Sequence, residues 1–257
     1  MTANILAIGD IAGTVGLDML CEKLHSIKRL YDISFTIANG ENAASIGIKT
    51  EQAEAMLNAG VDVITLGNHT WGKNEIIPFL DDCAYILRPA NFAPQVAGRG
   101  WAEYETAFGK VCVVNLIGHS GMNSEYSNPF FEIDQILKKT ENSIIFVDFH
   151  AEMTSEKYAM AYYLDGRVTA LWGTHTHVQT SDARVFAGGL GYITDLGMTG
   201  PIDSIIGMKP EQPISRFLGN PPGRFEEADG EAKIEGAIFE IDSESKKCLS
   251  VEPLRIF

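Results

Sequence analysis

Seven short apolar runs constrain the fold of this chain more than any other feature of its sequence. They are Ile5–Ile8, Phe35–Ala38, Val61–Leu66, Val111–Leu116, Ile144–Phe149, Val168–Trp172 and Leu190–Ile193. Short continuous runs of this kind are typical of strands that are buried on both faces of a sheet. Segments with helical periodicity lie between many of them, and the clearest is Leu17–Leu30. Strands that alternate with helices predict a layered α/β fold.

Other segments complete the predicted architecture. Shorter helices are predicted at Glu51–Asn58, Asn74–Leu80, Pro129–Leu137 and Ser155–Leu164. The irregular segment Asn91–Phe108 is predicted to form two edge strands, and Ile206–Gly230, which is rich in proline and glycine, is predicted to be a long surface loop. A final strand at Lys233–Ile241 is predicted to close the chain. The 257 residues contain no evident linker or repeat, so we expect a single domain over residues 1–257.

Charge and composition disfavour several classes of function. The net charge is −14, which repels the phosphates of long nucleic acids and disfavours a protein that coats DNA or RNA. The sequence begins MTANILAIGD, without a basic region followed by a long apolar run, and no apolar stretch approaches the roughly 20 residues that span a bilayer. The four cysteines form no CxxC pair and are expected to be buried thiols in a reducing compartment. We therefore expect a cytoplasmic protein without a membrane partner.

Polar clusters directly follow five of the apolar runs. They are Gly9–Asp10, Asn39–Asn42, Gly67–His69, His150 and Gly173–His177. In open α/β sheets, ligands bind at the carboxyl ends of the strands, so these clusters would meet at one edge if the strands are parallel neighbours. Each cluster alone has a plainer interpretation, since Asp10 suits a turn or a helix cap and Asn39–Gly40 is an ordinary turn dipeptide. Five clusters in equivalent positions favour a shared site.

The residue types in these clusters predict a metal centre. The candidate residues are Asp10, Glu41, Asn42, Asn68, His69, His150, His175 and His177. Imidazole and oxygen ligands together suit Fe, Mn, Zn or Ni better than Mg or Ca. Three separate histidine ligands are more than one catalytic ion with open positions normally uses, and one carboxylate can bridge two ions, so two metals are predicted. Their charge would attract a small phosphate ester into an acidic protein.

The same residues resemble a known family. The residues similar to motifs of calcineurin-like metallophosphoesterases are Gly9–Asp10, Gly67–His69, His150 and Gly173–His177. Ala12 stands where that superfamily commonly has a histidine, and Glu41 stands where a second Gly-Asp motif commonly supplies the bridging carboxylate. Those departures are the pattern of the YmdB-like branch, which comprises bacterial 2′,3′-cyclic-nucleotide phosphodiesterases. The resemblance extends over nearly the whole chain and includes Leu87–Phe92 and Thr194–Pro201.

The resemblance implies a four-layer α/β/β/α fold with the site at the carboxyl ends of the strands, a pair of iron or manganese ions, and self-association. One ion would bind Asp10, Glu41, Asn42 and His177. The other would bind Glu41, Asn68, His150 and His175. His69 would be the general acid, because it adjoins a ligand but remains free to donate a proton. The implied reaction is hydrolysis of a 2′,3′-cyclic nucleotide, such as 2′,3′-cAMP, by a hydroxide that bridges the ions.

Two other functions fit the same residues. A phosphomonoesterase, such as a nucleotidase, would favour extra cationic side chains near the metals, and Arg88 is the one clear strand-end candidate for that role. A regulatory protein that senses nucleotides through its metal site would bind them without turnover. We also expect the loop Gly118–Asn128, which follows a predicted strand, to shape substrate access, and we expect His119 within it to be a surface residue.

Overall fold

A computed structural model describes residues 1–122, 126–221, 223 and 225–257, which form six helices and fourteen strands. The helices are α1 (Gly13–Leu30), α2 (Thr50–Ala59), α3 (Ile76–Asp82), α4 (Pro129–Leu137), α5 (Thr154–Leu164) and α6 (Glu211–Phe217). The strands are β1 (Thr2–Ile8), β2 (Asp10–Ile11), β3 (Ile33–Asn39), β4 (Val63–Thr65), β5 (Ile86–Leu87), β6 (Trp101–Thr106), β7 (Gly109–Ile117), β8 (Ile144–His150), β9 (Ala170–Thr174), β10 (Arg184–Val185), β11 (Gly191–Ile193), β12 (Met198–Pro201), β13 (Ala232–Asp242) and β14 (Lys247–Ile256).

The strands form two sheets, each with a parallel centre. In the eight-stranded sheet, β1, β3, β4 and β5 are parallel neighbours, while β13 pairs antiparallel with β1 and carries β12 and β14. In the six-stranded sheet, β7, β8, β9 and β11 are parallel neighbours, with β6 and β10 as antiparallel edges. The polar clusters therefore follow parallel strands of two sheets rather than of one.

Three apolar cores hold the layers together. The first lies between the eight-stranded sheet and helices α1, α2 and α3, with Leu20 and Met56 fully buried. The second fills the space between the sheets and contains Phe35 and Trp172. The third packs α4 and α5 on the six-stranded sheet and contains Met160. Two facing sheets with helices on both outer sides form the four-layer α/β/β/α sandwich, which confirms the predicted fold.

The structure corrects three expectations about individual segments. The segment 91–108 supplies one edge strand, β6, rather than two. The segment Ile206–Gly230 is not a loop throughout, because it contains α6. The strand over Lys233–Ile241 does not close the chain, because β14 follows it. Among the described strands, β14 pairs only with β13, and it is largely exposed and contains Pro253. A solvated edge strand of this kind has no apolar run to reveal it.

Two further expectations concern thiols and membranes. All four cysteines are free thiols, but only Cys112 and Cys248 are buried, while Cys21 is exposed. Among the described residues, no helix combines the length and the apolar character that crossing a bilayer requires.

Candidate metal centre

The site lies where the two sheets bring the ends of their parallel strands together. From the eight-stranded sheet, Asp10 follows β1, Glu41 and Asn42 follow β3, and Asn68 and His69 follow β4. The six-stranded sheet contributes the end of β8 and the turn after β9. The residues at those positions are His150, His175 and His177. Polar contacts connect all eight predicted residues in one cluster.

Three of these residues converge on one nitrogen of a fourth, His150. Nε2 of His150 lies 2.9 Å from Oδ1 of Asn68, 3.1 Å from Oε1 of Glu41 and 3.1 Å from Nδ1 of His175. The other nitrogen of His150, Nδ1, lies 2.9 Å from Oγ1 of Thr174, which donates its own hydrogen to Asp148. Thr174 must therefore accept from the Nδ1–H group, and Nε2 is left to face the cluster.

The two histidines after β9 are oriented in the same manner. Nδ1 of His177 lies 3.1 Å from the carbonyl oxygen of Ile206, which can only accept, so Nε2 faces the cluster. Nε2 of His175 lies 3.1 Å from Oε2 of Glu152, so Nδ1 faces His150. Both histidines have positive φ angles, 99° for His175 and 63° for His177. Strained backbone of this kind is common where side chains must be aimed at a site.

A second group of ligand atoms overlaps the first through Glu41. Nδ2 of Asn42 lies 3.2 Å from Oε1 of Glu41 and 3.1 Å from Nε2 of His177. Nε2 of His177 is in turn 3.8 Å from Oδ1 of Asp10. An amide nitrogen cannot ligate a metal, so a ligand role for Asn42 requires its amide to rotate and present Oδ1 instead. Asn42 forms a backbone bridge with Ala12, which places it beside the position where the superfamily commonly has a histidine.

The electrostatics of the cluster follow from burial and close charges. Burial raises the pKa of Asp10, although His177 and His150 oppose that effect. Burial would also raise the pKa of Glu41, but the charge and hydrogen bond of His150 hold it well below its usual range. Burial lowers the pKa of His150, but the charge and hydrogen bond of Glu41 outweigh that effect and raise this pKa to about 9. Burial and the charge of His150 lower the pKa of His175 to about 3.

These residues fit a metal centre on structural grounds. Oδ1 of Asp10 is fully buried and has no hydrogen-bond partner among the described residues. Ligand atoms of Glu41, His150 and His175 all lie within 4.8 Å of one another, which is the spacing of a shared cation site. A Cβ atom at Gly67 would lie 2.3 Å from Oε2 of Glu41, so only glycine fits beside this cluster. A buried carboxylate oxygen without a donor is satisfied by a cation.

His69 stands between the metal ligands and an open cleft. Its backbone N–H donates to Oε2 of Glu41, and its Nδ1 lies 2.9 Å from Oδ1 of Asn42. Its side chain is 35% exposed and lines a cleft with a volume of about 1020 Å³. Because acceptors occupy the Nδ1 side, Nε2 is the nitrogen that can deliver a proton into the cleft.

Other predicted contributors lie elsewhere. Arg88 is buried and donates to the carbonyl oxygens of Pro89, Ala90 and Ala97, so it does not reach the cleft. In the loop Gly118–Asn128, residues 123–125 lie outside the described residues, and none of the described loop residues lines the cleft. His119 is exposed, as predicted.

The residues that orient the histidines were not among the predicted site residues. Asp148 and Thr174 are fully buried and hold His150, and Glu152 contacts His175. Asp148 does carry a signal, because it is a charged residue inside an otherwise apolar strand. Such a residue requires buried partners.

Comparison with known proteins agrees with this geometry. The family described as YmdB-like protein matches residues 6–254. The chain is 44% identical to the 2′,3′-cyclic-nucleotide 2′-phosphodiesterase of Bacillus subtilis (strain 168), over 98% of this chain and 97% of that protein. The structure of a phosphatase from Mycoplasma pneumoniae superposes with a TM-score of 0.94 at 35% identity, covering 100% of this chain and 94% of that one. A hypothetical protein from Thermus thermophilus superposes with a TM-score of 0.90 at 36% identity, covering 98% of each chain. The chain belongs to the YmdB-like family and is a hydrolase of the phosphodiesterase and phosphatase type.

Proposed function

We propose that this chain is a dinuclear-metal phosphodiesterase that hydrolyses 2′,3′-cyclic nucleotides of the 2′,3′-cAMP type. The observation that carries the proposal is the pair of ligand groups that meet at Oε1 of Glu41. Oδ1 of Asp10, for which no described residue is a hydrogen-bond partner, supports a cation beside it. The activity named for the Bacillus subtilis relative supports the choice of substrate.

Seven side chains would hold the ions. Asp10, Glu41, Asn42 and His177 would hold one ion, and Glu41, Asn68, His150 and His175 would hold the other. Iron and manganese suit this mixture of imidazole and oxygen ligands. When bound, two such ions would supply a hydroxide nucleophile at neutral pH and positive charge beside the phosphate.

His69 would act on the leaving group. A ribose hydroxyl is a poor leaving group as an alkoxide, so a proton must reach its oxygen as the bond to phosphorus breaks. Oε1 of Glu41 lies 3.4 Å from Nδ1 of the imidazole and holds that side in either orientation of the Asn42 amide, while the ring lines the cleft. The protonated ring can therefore donate from Nε2 to the ribose oxygen.

The structure favours this activity over its two rivals. A phosphate monoester carries more charge than a cyclic diester, and Arg88, the strand-end cation that would have served it, is bonded to backbone carbonyls. A nucleotide sensor would not need an acid beside the ligands, yet His69 lies there. The proposal also places the enzyme in the cytoplasm, as one domain over residues 1–257 that self-associates, with its free cysteines suited to a reducing compartment.

The proposal is tested by metal content and turnover together. Protein purified anaerobically and loaded with Fe²⁺ or Mn²⁺ should contain about two ions per chain and hydrolyse 2′,3′-cyclic AMP faster than a monoester. Glu41→Gln removes the shared negative charge, so it should lose metal and turnover while keeping its circular dichroism spectrum. Glu51→Gln, at an exposed position of α2, is the matched control and should change neither. One ion or none at full loading, or equal turnover of the two variants, would refute the proposal.

A further inference from the structure

The cleft above the metal centre is larger than a phosphodiester group requires. Its volume of about 1020 Å³ is at the upper end of the range for small-molecule pockets. Four of the candidate metal ligands line one part of it, and they are Glu41, Asn42, His175 and His177. Another part is formed by apolar side chains that come from the segment after β12. They are Ile206, Met208, Pro213, Phe217 and Phe225. A substrate with an apolar portion attached to its phosphate would use both parts.

Helix α6 turns one of its faces toward this cleft. Pro213, Arg216 and Phe217 line the cleft, and their spacing of three and four residues places them on one face of a helix. Ile214 on the same helix is also exposed, but it does not line the cleft. Phe217 is 87% exposed, so the core of the protein does not explain its position. An exposed aromatic ring that faces a pocket suggests a ligand that covers it.

Direct contacts tie this apolar wall to the metal centre. The carbonyl oxygen of Ile206 accepts from Nδ1 of His177 at 3.1 Å. Farther along the wall, the backbone N–H of Glu226 donates to Oε1 of Gln212 in α6 at 2.6 Å, which fixes Phe225 beside that helix. These hydrogen bonds therefore fix the position of the apolar wall relative to the metal ligands.

We infer that Phe217 and Phe225 form a subsite that binds the nucleobase of the substrate by stacking. This inference rests on the proposed function, because it assumes a nucleotide whose phosphate lies at the metal centre. Phe225 is 39% exposed, and the guanidinium carbon of Arg216 lies 5.9 Å from the centre of its ring. An aromatic ring with a neighbouring guanidinium can stack on a nucleobase whatever the identity of that base. The subsite selects nucleoside cyclic phosphates over cyclic phosphates without a base.

The test compares a substrate with and without its base. Wild type, Phe217→Ala and Phe217→Trp are assayed on 2′,3′-cyclic AMP and on methyl riboside 2′,3′-cyclic phosphate, with Ile214→Ala as the exposed control on the same helix. Phe217→Ala should raise KM for the nucleotide by about 5- to 100-fold, which is the usual contribution of one stacked base, and leave kcat nearly unchanged. KM for the base-free substrate should stay constant, and Phe217→Trp should keep the low KM. Because Phe217 is so exposed, its replacement leaves the fold intact.

A binding measurement separates this inference from the proposed function. Adenosine is titrated into metal-free wild type, Phe217→Ala and Ile214→Ala and followed by NMR. Weaker binding to Phe217→Ala alone supports the subsite, even if no substrate is hydrolysed and the proposed function fails. Hydrolysis of both substrates with the same KM, together with adenosine binding that is independent of Phe217, would overturn the subsite and leave the proposed function standing. A change from oligomer to monomer in Phe217→Ala, without a change in KM, would also overturn it and would assign the face to a second copy of the chain.

Discussion

Nε2 of His150 lies 3.1 Å from Nδ1 of His175, and in each ring the other nitrogen contacts an orienting side chain, Thr174 for His150 and Glu152 for His175. Two lone pairs cannot face each other at this distance without a proton or a cation between them. The pKa values of the two rings shift in opposite directions, to about 9 for His150 and about 3 for His175, so the proton resides on His150 rather than on His175 in the metal-free protein.

Metal binding should therefore release a proton. At pH 7 the metal-free protein carries its proton on His150, whose pKa is about 9, and that ring must lose it to bind an ion. His175 is already neutral at this pH. Apparent affinity for Mn²⁺ should rise by up to about tenfold per pH unit from pH 7 and level off above pH 9. Anaerobic calorimetry in buffers of different ionisation enthalpy measures the released protons, and an affinity that is constant from pH 7 to 9 would contradict the prediction.

Gly67→Ala should disable the metal centre without changing any ligand. The added Cβ would lie 2.3 Å from Oε2 of Glu41 and 2.4 Å from Nε2 of His150, so both side chains must move. Metal affinity should fall by at least about 10- to 100-fold, the loss that follows from misplaced ligands. Gly223→Ala is the control, because a Cβ there would have no described residue other than its chain neighbours within 4 Å, although it borders the same cleft. Elemental analysis should show normal metal content in the control, and equal content in both variants would disprove the steric argument.

His69→Ala should distinguish the general acid from the metal ligands. A ribose oxygen needs a proton as it leaves, so hydrolysis of 2′,3′-cyclic AMP should fall by about 10²–10⁴-fold. A nitrophenolate leaves without a proton, so a nitrophenyl phosphodiester should be affected much less. His175→Ala should damage both reactions alike and lose metal, whereas His69→Ala should keep its metal. His119→Ala, at an exposed position, is the control and should change neither reaction nor metal content. If His69→Ala lowers the rate of hydrolysis of both substrates by the same factor, His69 positions the substrate or ligates a metal instead.

Lys157→Met should destabilise the fold near the histidine turn. Nζ of Lys157 is buried and donates to Oδ2 of Asp195 at 2.8 Å and to the carbonyl oxygen of Thr174 at 2.9 Å. Removing this cation leaves a buried carboxylate without its counter-ion, which should lower the free energy of unfolding by about 3–5 kcal/mol. Lys157→Met with Asp195→Asn should recover part of the loss.

Urea denaturation measures these stabilities. The control is Lys209→Met, which breaks an exposed pair with Glu226 and should leave the midpoint unchanged. A Lys157→Met midpoint equal to that of the control would show that the buried pair does not stabilise the protein.

The sequence was informative where one local pattern determined the structure. Buried parallel strands such as β8 are continuous apolar runs, and the polar residue that ends each run must lie at the edge of its sheet, so His150 could be placed in advance. α6 could not be predicted, because a seven-residue helix with one buried residue depends on distant contacts such as that of Gln212 with Glu226. The orientation of the Asn42 amide also depends on neighbours that are remote in the chain.

The origin of the ligands in both sheets has a mechanical consequence. Asp10 and Asn68 come from one sheet, and His150 and His175 come from the other. Asp10 precedes His175 by most of the length of the chain. An ion held between them would act as a reversible crosslink between segments that lie 165 residues apart in the chain. An unfolded chain cannot bring these groups together, so the free energy of metal binding adds to the stability of the folded state, in which the two sheets are packed together. Chelation would then loosen the sandwich at the seam between its sheets and expose that seam to proteases as the catalytic site empties.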